Sequence, residues 1–164
     1  MLFRSRAFCK RPFLLFSQAC IPCPAGLFCP NITASPIPCP DGSYSLGFAT
    51  ICTECPAGHY CETNRKNSVP LPCAAGHYSN KSAPVCEVCS PGYACKGSDI
   101  SPTPPSGLCP VGFYCPDGLQ ERPCPSGTFG NITGAASQAG GCPTCPAGYF
   151  CPAATRGYPT HRFV

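Results

Sequence analysis

The chain has 164 residues, of which 18 are cysteine, 23 proline and 17 glycine, and its formal net charge is +4. One cysteine in about nine residues marks a disulfide scaffold, and the scarcity of aliphatic runs excludes a large apolar core. Four basic residues lie within the first eleven positions and the rest of the chain is neutral, so a basic surface for nucleic acid is not expected.

The amino-terminal segment, residues 1–19, is irregular. It contains basic residues, the short apolar run Phe13–Phe16 and Ser-Gln-Ala before Cys20. A signal peptide has an apolar stretch of about 7–15 residues, so this segment is a weak signal-peptide candidate, and the edge of an imperfect gene model is the alternative. No apolar run approaches the ~20 residues of a membrane helix, so no transmembrane segment is expected in this chain.

From Cys20 onward the chain is repetitive. Eight segments share the pattern Cys-x-x-Gly, and we number them 1 to 8 in chain order; they begin at Cys23, Cys39, Cys55, Cys73, Cys89, Cys109, Cys124 and Cys145. Aromatic residues closely follow the glycine. The spacing predicts repeats over 20–51, 52–85, a shortened 86–105, 106–141 and a partial 142–164.

Each Cys-x-x-Gly segment is interpreted as a turn. Proline after the cysteine presets φ for the second turn position, and glycine permits a left-handed backbone. We expect the aromatic residue to lie over the disulfide. The turn glycines are Gly26, Gly42, Gly58, Gly76, Gly92, Gly112, Gly127 and Gly148.

The interrupted copy between Cys95 and Cys109 suggests how the cysteines pair. Two cysteines of the pattern are missing there together, which is simplest if they pair with each other. Connectivity is not fixed by sequence, and a crossed scheme is the alternative, although it strands Cys89 and Cys115. The favoured hypothesis comprises Cys9–Cys20, Cys23–Cys29, Cys39–Cys52, Cys55–Cys61, Cys73–Cys86, Cys89–Cys95, Cys109–Cys115, Cys124–Cys142 and Cys145–Cys151.

The predicted fold class is small disulfide-rich repeats, stacked as an elongated rod with short β-strands, turns and little helix. The Ser/Pro-rich stretch Ser98–Gly107 is expected to be a flexible joint.

Three sequons for N-glycosylation begin at Asn31, Asn80 and Asn131. Together with the cysteine count they predict an extracellular or cell-surface location and attached N-glycans.

The run CxxCPAGxYC followed by CPxGxYS…C, from Cys20 to Cys151, resembles the ephrin-receptor-like (GCC-type) cysteine-rich repeat of the growth-factor-receptor cysteine-rich superfamily. It is more distantly similar to the modules of tumour-necrosis-factor receptors, which supports pairs of the Cys39–Cys52 type. The resemblance implies a part of a receptor, matrix protein or large surface protein. The sequence departs from the pattern between Cys95 and Cys109 and at Cys9, which lacks the glycine and aromatic.

Other chemistries fit the residues less well. Zinc between two CxxC pairs such as Cys20/Cys23 and Cys52/Cys55 competes with structural disulfides, and no thioredoxin-like pattern accompanies a CxxC. His59 and His77 are interpreted as loop residues rather than a pH switch. The carboxylates are scattered and no nucleophile motif occurs, so we expect no enzyme, catalytic residue, metal or cofactor.

The expected function is therefore a non-catalytic structural or protein-interaction segment of a larger secreted or cell-surface protein. Its partner would be a protein ligand or a matrix component, with no nucleic acid. The alternatives are a ligand-binding fragment of a receptor ectodomain and a small secreted cysteine-rich factor.

Overall fold

The computed structural model describes residues 7–9, 20–31, 34–62, 69–160 and 162. Their contacts divide the chain into two units: Met1–Pro72 with Asn80–Val85, and Cys73–Ser79 with Cys86–Val164. Most of the predicted amino-terminal segment 1–19 falls outside the described residues, and the stacking of modules into a rod remains a prediction.

The secondary structure consists almost entirely of short antiparallel hairpins. Within the described residues there are twelve strands, one four-residue helix and one 3-10 turn. The first unit contains β1 (Ala7–Cys9), β2 (Cys20–Pro22), β3 (Leu27–Phe28), β4 (Ile37–Pro38), β5 (Ser43–Tyr44), β6 (Thr53–Glu54), β7 (His59–Tyr60) and β8 (Leu71–Pro72). The second contains β9 (His77–Tyr78), β10 (Glu87–Val88), the 3-10 turn Pro105–Gly107, β11 (Phe113–Tyr114), β12 (Arg122–Pro123) and α1 (Gln138–Gly141). The predicted small disulfide-rich fold with short strands and little helix is confirmed.

One register rule generates the hairpins. The residue after each turn glycine lies opposite the residue before the next segment's cysteine, as with Leu27 and Pro38 in β3–β4 or Phe113 and Pro123 in β11–β12. Isolated bridges continue the rule where no two-residue ladder forms: Tyr93 with Leu108, Thr128 with Thr144 and Tyr149 with Arg162. Each segment therefore opens a hairpin whose return strand leads directly into the next segment.

The turn at the head of each hairpin is the same in all eight segments. In the first, the Leu27 N–H donates to the Pro24 carbonyl at 3.2 Å across Ala25 and Gly26. Gly26 has φ +78°, and the other seven turn glycines also have positive φ. This is the type II pattern, in which the third residue must be left-handed and is therefore glycine. In six segments proline occupies the first turn position, one residue earlier than the sequence analysis predicts. Ala74 and Ser90 hold that position in segments 4 and 5, and in segment 5 Pro91 holds the predicted second position.

The buried interior consists mainly of disulfide-bonded cysteine side chains. Among the described residues, the buried apolar side chains are cysteines apart from Phe129, Ala135 and two prolines, Pro104 and Pro159. The partly buried apolar side chain packed against the Cys23–Cys29 pair is Leu27, next to the turn glycine, rather than the aromatic Phe28 that follows it. Hairpins of two-residue strands are marginal by themselves, so the disulfides supply what packing cannot.

The stretch Ser98–Gly107 differs from the prediction of a flexible joint. Ser90 donates its N–H to the Pro102 carbonyl at 2.9 Å, and Ala94 donates to the Gly107 carbonyl at 2.7 Å. Pro104 and Gly107 are buried, and Pro105–Gly107 forms the 3-10 turn. Proline-rich composition is compatible with either a linker or a fixed turn, and here backbone hydrogen bonds fix the turn.

We expect two turn glycines with the same backbone to respond differently to a side chain. Gly92 (φ +90°) and Gly127 (φ +82°) are both left-handed, which asparagine tolerates. A Cβ at Gly92 would lie 2.7 Å from the Gly134 carbonyl oxygen, whereas no atom of the described residues lies within 4 Å of a Cβ at Gly127. Gly92→Asn should therefore lower the free energy of unfolding by about 1–3 kcal/mol more than Gly127→Asn, measured by denaturant titration with near-ultraviolet circular dichroism. Equal losses would contradict this packing.

Candidate functional site: disulfide-closed turns and sequon loops

Eight disulfides cross-link the described residues, and they fall into two geometric classes. Five close a Cys-x-x-Gly turn on itself over six residues, with Cα–Cα distances near 6 Å, for example 6.1 Å in Cys23–Cys29 and 5.9 Å in Cys109–Cys115. The others of this class are Cys55–Cys61, Cys89–Cys95 and Cys145–Cys151.

The second class closes the loop at the far end of a hairpin. Cys39–Cys52 and Cys73–Cys86 each span 13 residues, and Cys124–Cys142 spans 18. All eight bridges coincide with the pairs that the sequence analysis favours. For the ninth, β1 and β2 place the Cα atoms of Cys9 and Cys20 opposite each other. Their side chains lie outside the described part of the chain, so Cys9–Cys20 stays a prediction. Restricting the unfolded chain makes each bridge worth about 2–3 kcal/mol.

A second left-handed position recurs after the turns, and the sequence analysis did not find it. It lies nine residues after the cysteine that begins a segment, and non-glycine residues hold it in four cases: Phe48 (φ +55°), Ser82 (φ +61°), Ser98 (φ +55°) and Ala154 (φ +61°). We call this the tail residue. A left-handed backbone costs a non-glycine residue about 1–2 kcal/mol, so the surrounding contacts must impose it.

The tail residue locks one segment onto the segment before it. The Phe48 N–H donates to the Cys23 carbonyl, and the Ser82 N–H donates to the Cys55 carbonyl, both at 2.8 Å. Ala154 makes the same bond to Cys124 at 2.8 Å. The signal in the sequence is weak. Gly118 is the tail residue of segment 6, and Gly134, which lies one position later than in the other segments, is that of segment 7, but the other tails carry no glycine.

The sequon asparagines lie at the surface just past segment ends. Asn80 follows the buried Ser79 and Asn131 follows Gly130, and both asparagines are exposed, as is Asn31. The Asn31 Oδ1 accepts a hydrogen bond from the Ala34 N–H at 2.7 Å. Ile32 and Thr33 of the first sequon lie outside the described residues. An N-glycan is bulky and needs a surface position in the folded protein, so the exposed asparagines are compatible with attached glycans.

Ionic contacts are few and exposed. Lys81 pairs with Glu54, and the Tyr78 hydroxyl donates to the Glu87 carboxylate at 2.6 Å, which raises the pKa of Tyr78. Backbone N–H groups of Leu119 and Gln120, together with Arg122, hold the pKa of Asp117 below its ordinary value of 3.8. Exposed pairs of this kind are worth little, so they orient loops rather than hold the fold.

The residues considered for other chemistry do not come together. Within the described ranges no three His, Cys, Asp or Glu side chains meet as a metal-binding group. Cys23, Cys52 and Cys55, which the zinc alternative requires as thiolates, are in disulfides. His59 and His77 both point Nδ1 at the carbonyl two residues earlier, at 3.4 Å from Ala57 and 3.1 Å from Ala75.

One loop presents apolar side chains. Leu46, Phe48 and Ile51, in the loop between β5 and β6, are 69%, 53% and 76% exposed, and Tyr44 and Ile51 line a shallow depression there. No charged residue occurs between Asp41 and Glu54. Clustered exposed apolar side chains of this kind occur at protein contact surfaces.

No protein-family model matches the sequence, and a search of curated proteins finds no match either. The part of the chain that the structure describes contains no helix long and apolar enough to cross a membrane.

We expect disulfide mapping to separate the neighbouring-pair scheme from the crossed one. Under non-reducing digestion, a peptide carrying Cys89 should be linked to Cys95, because both lie in one turn with Cα atoms 6.4 Å apart. Mass spectrometry of the linked peptides provides the measurement. A Cys89 peptide attached to any other cysteine would contradict the hairpin register.

The Asp117 carboxyl should titrate below 3.8 in a carbon-detected NMR titration. Since its folded pKa is lowered, the carboxylate stabilises the loop above its ordinary pKa, and that contribution disappears as the pH falls through the folded value. Arg122→Gln should raise the midpoint only partway, because the Leu119 N–H remains 3.1 Å from the carboxylate. A complete return to 3.8 would show that Arg122 alone lowers the pKa.

Proposed function

We propose that this chain is a non-catalytic, extracellular structural and protein-interaction segment of a larger secreted or cell-surface protein. The observation that carries the proposal is the sulfur interior: eight disulfides, with no cysteine of the described part left free. Glutathione and thioredoxin keep such thiols reduced in the cytosol, so a fold that depends on their oxidation belongs in an oxidising compartment. The Cys-x-x-Gly pattern favours a repeat of the ephrin-receptor-like type.

The interaction part of the proposal rests on the loop from Tyr44 to Thr53. Leu46 and Ile51 are mostly exposed, and the loop is held by the Cys39–Cys52 bridge and by the Phe48 N–H bond to Cys23. A rigid apolar loop loses little conformational entropy when it binds a protein. This favours a protein ligand or matrix component as partner, and it is the specific observation behind the alternative of a ligand-binding receptor fragment.

Expression through a eukaryotic secretory pathway tests the location and modification. The secreted protein should contain no alkylatable thiol before reduction, and glycosidase treatment should reduce its mass. Asn31→Gln, Asn80→Gln and Asn131→Gln should each remove one glycan, because all three asparagines are exposed.

A cytosolic preparation is the matched control for the secreted protein. If the chain folds in the cytosol with free thiols and stoichiometric zinc, the extracellular proposal is wrong. If it is secreted with all thiols oxidised but without glycans, the disulfide argument stands and the glycoprotein part is wrong.

A further inference from the structure

The turn glycines divide into two groups by burial. Those of segments 1 to 6 are buried: Gly26, Gly42, Gly58, Gly76, Gly92 and Gly112. Gly127 and Gly148, of segments 7 and 8, are exposed, although their φ of +82° matches the others. Because the local turn is the same in both groups, the difference must come from what lies against each turn.

At three of the buried turn glycines, the turn is covered by the tail of the segment two places ahead. A Cβ at Gly42, in segment 2, would collide with the backbone of Ser82, the tail residue of segment 4. At Gly92, in segment 5, it would lie 2.7 Å from the carbonyl oxygen of Gly134, the tail residue of segment 7. At Gly112, in segment 6, it would lie 2.8 Å from the carbonyl oxygen of Ala154, the tail residue of segment 8.

The last two turns have room for such a tail. No atom of the described residues lies within 4 Å of a Cβ built on Gly127 or on Gly148. By the same spacing, Gly127 would be covered by the tail of a ninth segment and Gly148 by that of a tenth. The space that a tail would occupy over these two turns is therefore accessible.

The aromatic residues give a second, independent observation. The aromatic two positions after the turn glycine is half-buried in most segments, and Phe129 in segment 7 is only 6% exposed. Phe129 is covered by Tyr158, whose ring centroid lies 5.5 Å away. Phe150 in segment 8 is 53% exposed. In segment 8 an exposed aromatic therefore accompanies an exposed turn glycine, whereas in segment 7 Tyr158 covers the aromatic although Gly127 is exposed.

We propose that the surface formed by Gly127, Gly148, Phe150 and the Cys145 carbonyl docks a further Cys-x-x-Gly hairpin. This inference deepens the proposed structural function, on which it rests, by naming the kind of partner. The tail N–H of the docked hairpin donates to the Cys145 carbonyl, as the Ala154 N–H donates to Cys124. The end of its turn accepts from the Gly148 N–H, as Cys151 accepts from Gly127 at 2.8 Å.

The tail-to-turn contacts between segments of this chain indicate what kind of partner fits the surface. Each is made by a left-handed tail residue that follows a Cys-x-x-Gly turn, and another hairpin of the same type reproduces both backbone bonds. The register also gives its position: Tyr149 lies opposite Arg162, so the first cysteine of a docked hairpin would take the position that Phe163 holds in this chain. Docking buries the exposed Phe150 ring, which is favourable.

The test extends the chain by one of its own modules. Residues 1–162 are followed by a second copy of residues 109–144, whose four cysteines pair within the copy and whose tails are Gly118 and Gly134. Amide hydrogen exchange of Gly148 is measured by NMR in the extended and parent chains. We expect exchange at Gly148 to slow by about tenfold or more in the extended chain, as for other hydrogen-bonded amides in a folded unit.

A matched variant separates docking from a general effect of the added residues. Gly127→Asn, which the parent chain should tolerate, fills the space reserved for the tail of the ninth segment, so it should abolish the slowing at Gly148. Unchanged exchange in a correctly cross-linked extended chain would overturn the proposal. So would protection of Gly148 that rises with concentration in the parent chain alone, because the occupant would then be a second copy.

A shorter extension keeps the test decisive if the longer one forms wrong disulfides. A copy of residues 109–123 contains a single bridge, Cys109–Cys115, and still supplies the tail residue Gly118 and the carbonyl at the end of the turn. The same slowing at Gly148 supports the docking surface, and its absence contradicts it. Secretion and thiol oxidation of the parent chain are measured separately, so failure of the proposed function is distinguishable from failure of this inference.

Discussion

The left-handed glycine closed between two cysteines is the constraint on which every other feature depends. The turn reverses the chain within four residues, and the backbone bond from the next cysteine to the glycine carbonyl, 3.0 Å between Cys39 and Gly26, starts the following segment in a fixed register. Strands of two residues bury almost nothing, so this geometry persists only because the bridge removes conformational freedom from the unfolded chain. The sulfur atoms then also serve as the interior.

The same constraint explains how adjacent segments recognise each other. A tail residue forced into the left-handed region, such as Ser82 or Ala154, gives its N–H to the preceding segment and lies over the turn glycine one segment further back. At covered turns such as Gly42, Gly92 and Gly112, glycine is therefore required twice, once for its φ and once because a side chain would displace the tail. Side chains pointing away from these contacts are free to vary, which leaves loops such as Tyr44–Thr53 available for partner contacts.

Much of the fold could be predicted from the sequence, because the spacing of cysteine and glycine indicates both the turns and the disulfide pairs between neighbouring cysteines. The eight turn glycines and the eight described bridges were within reach of that spacing. The tail residues were not, since Phe48, Ser98 and Ala154 carry no glycine to mark a left-handed backbone that tertiary contacts impose. Likewise, the composition of Ser98–Gly107 is that of a linker, and only the hydrogen bonds to Ser90 and Ala94 reveal a fixed turn. Exposed asparagines and an apolar loop are visible in sequence, but what binds them is not.

The most direct test of the account compares amide hydrogen exchange before and after reduction of the disulfides in native buffer. The amides of Cys39, Cys55 and Cys145, which donate to turn glycine carbonyls at 2.8–3.0 Å, report the hairpin register. The account predicts that they are protected in the oxidised protein and exchange at unfolded rates once the bridges are reduced, because no apolar core remains to hold them. Protection that survives full reduction would contradict it, since the fold would then be held by packing rather than by cross-links.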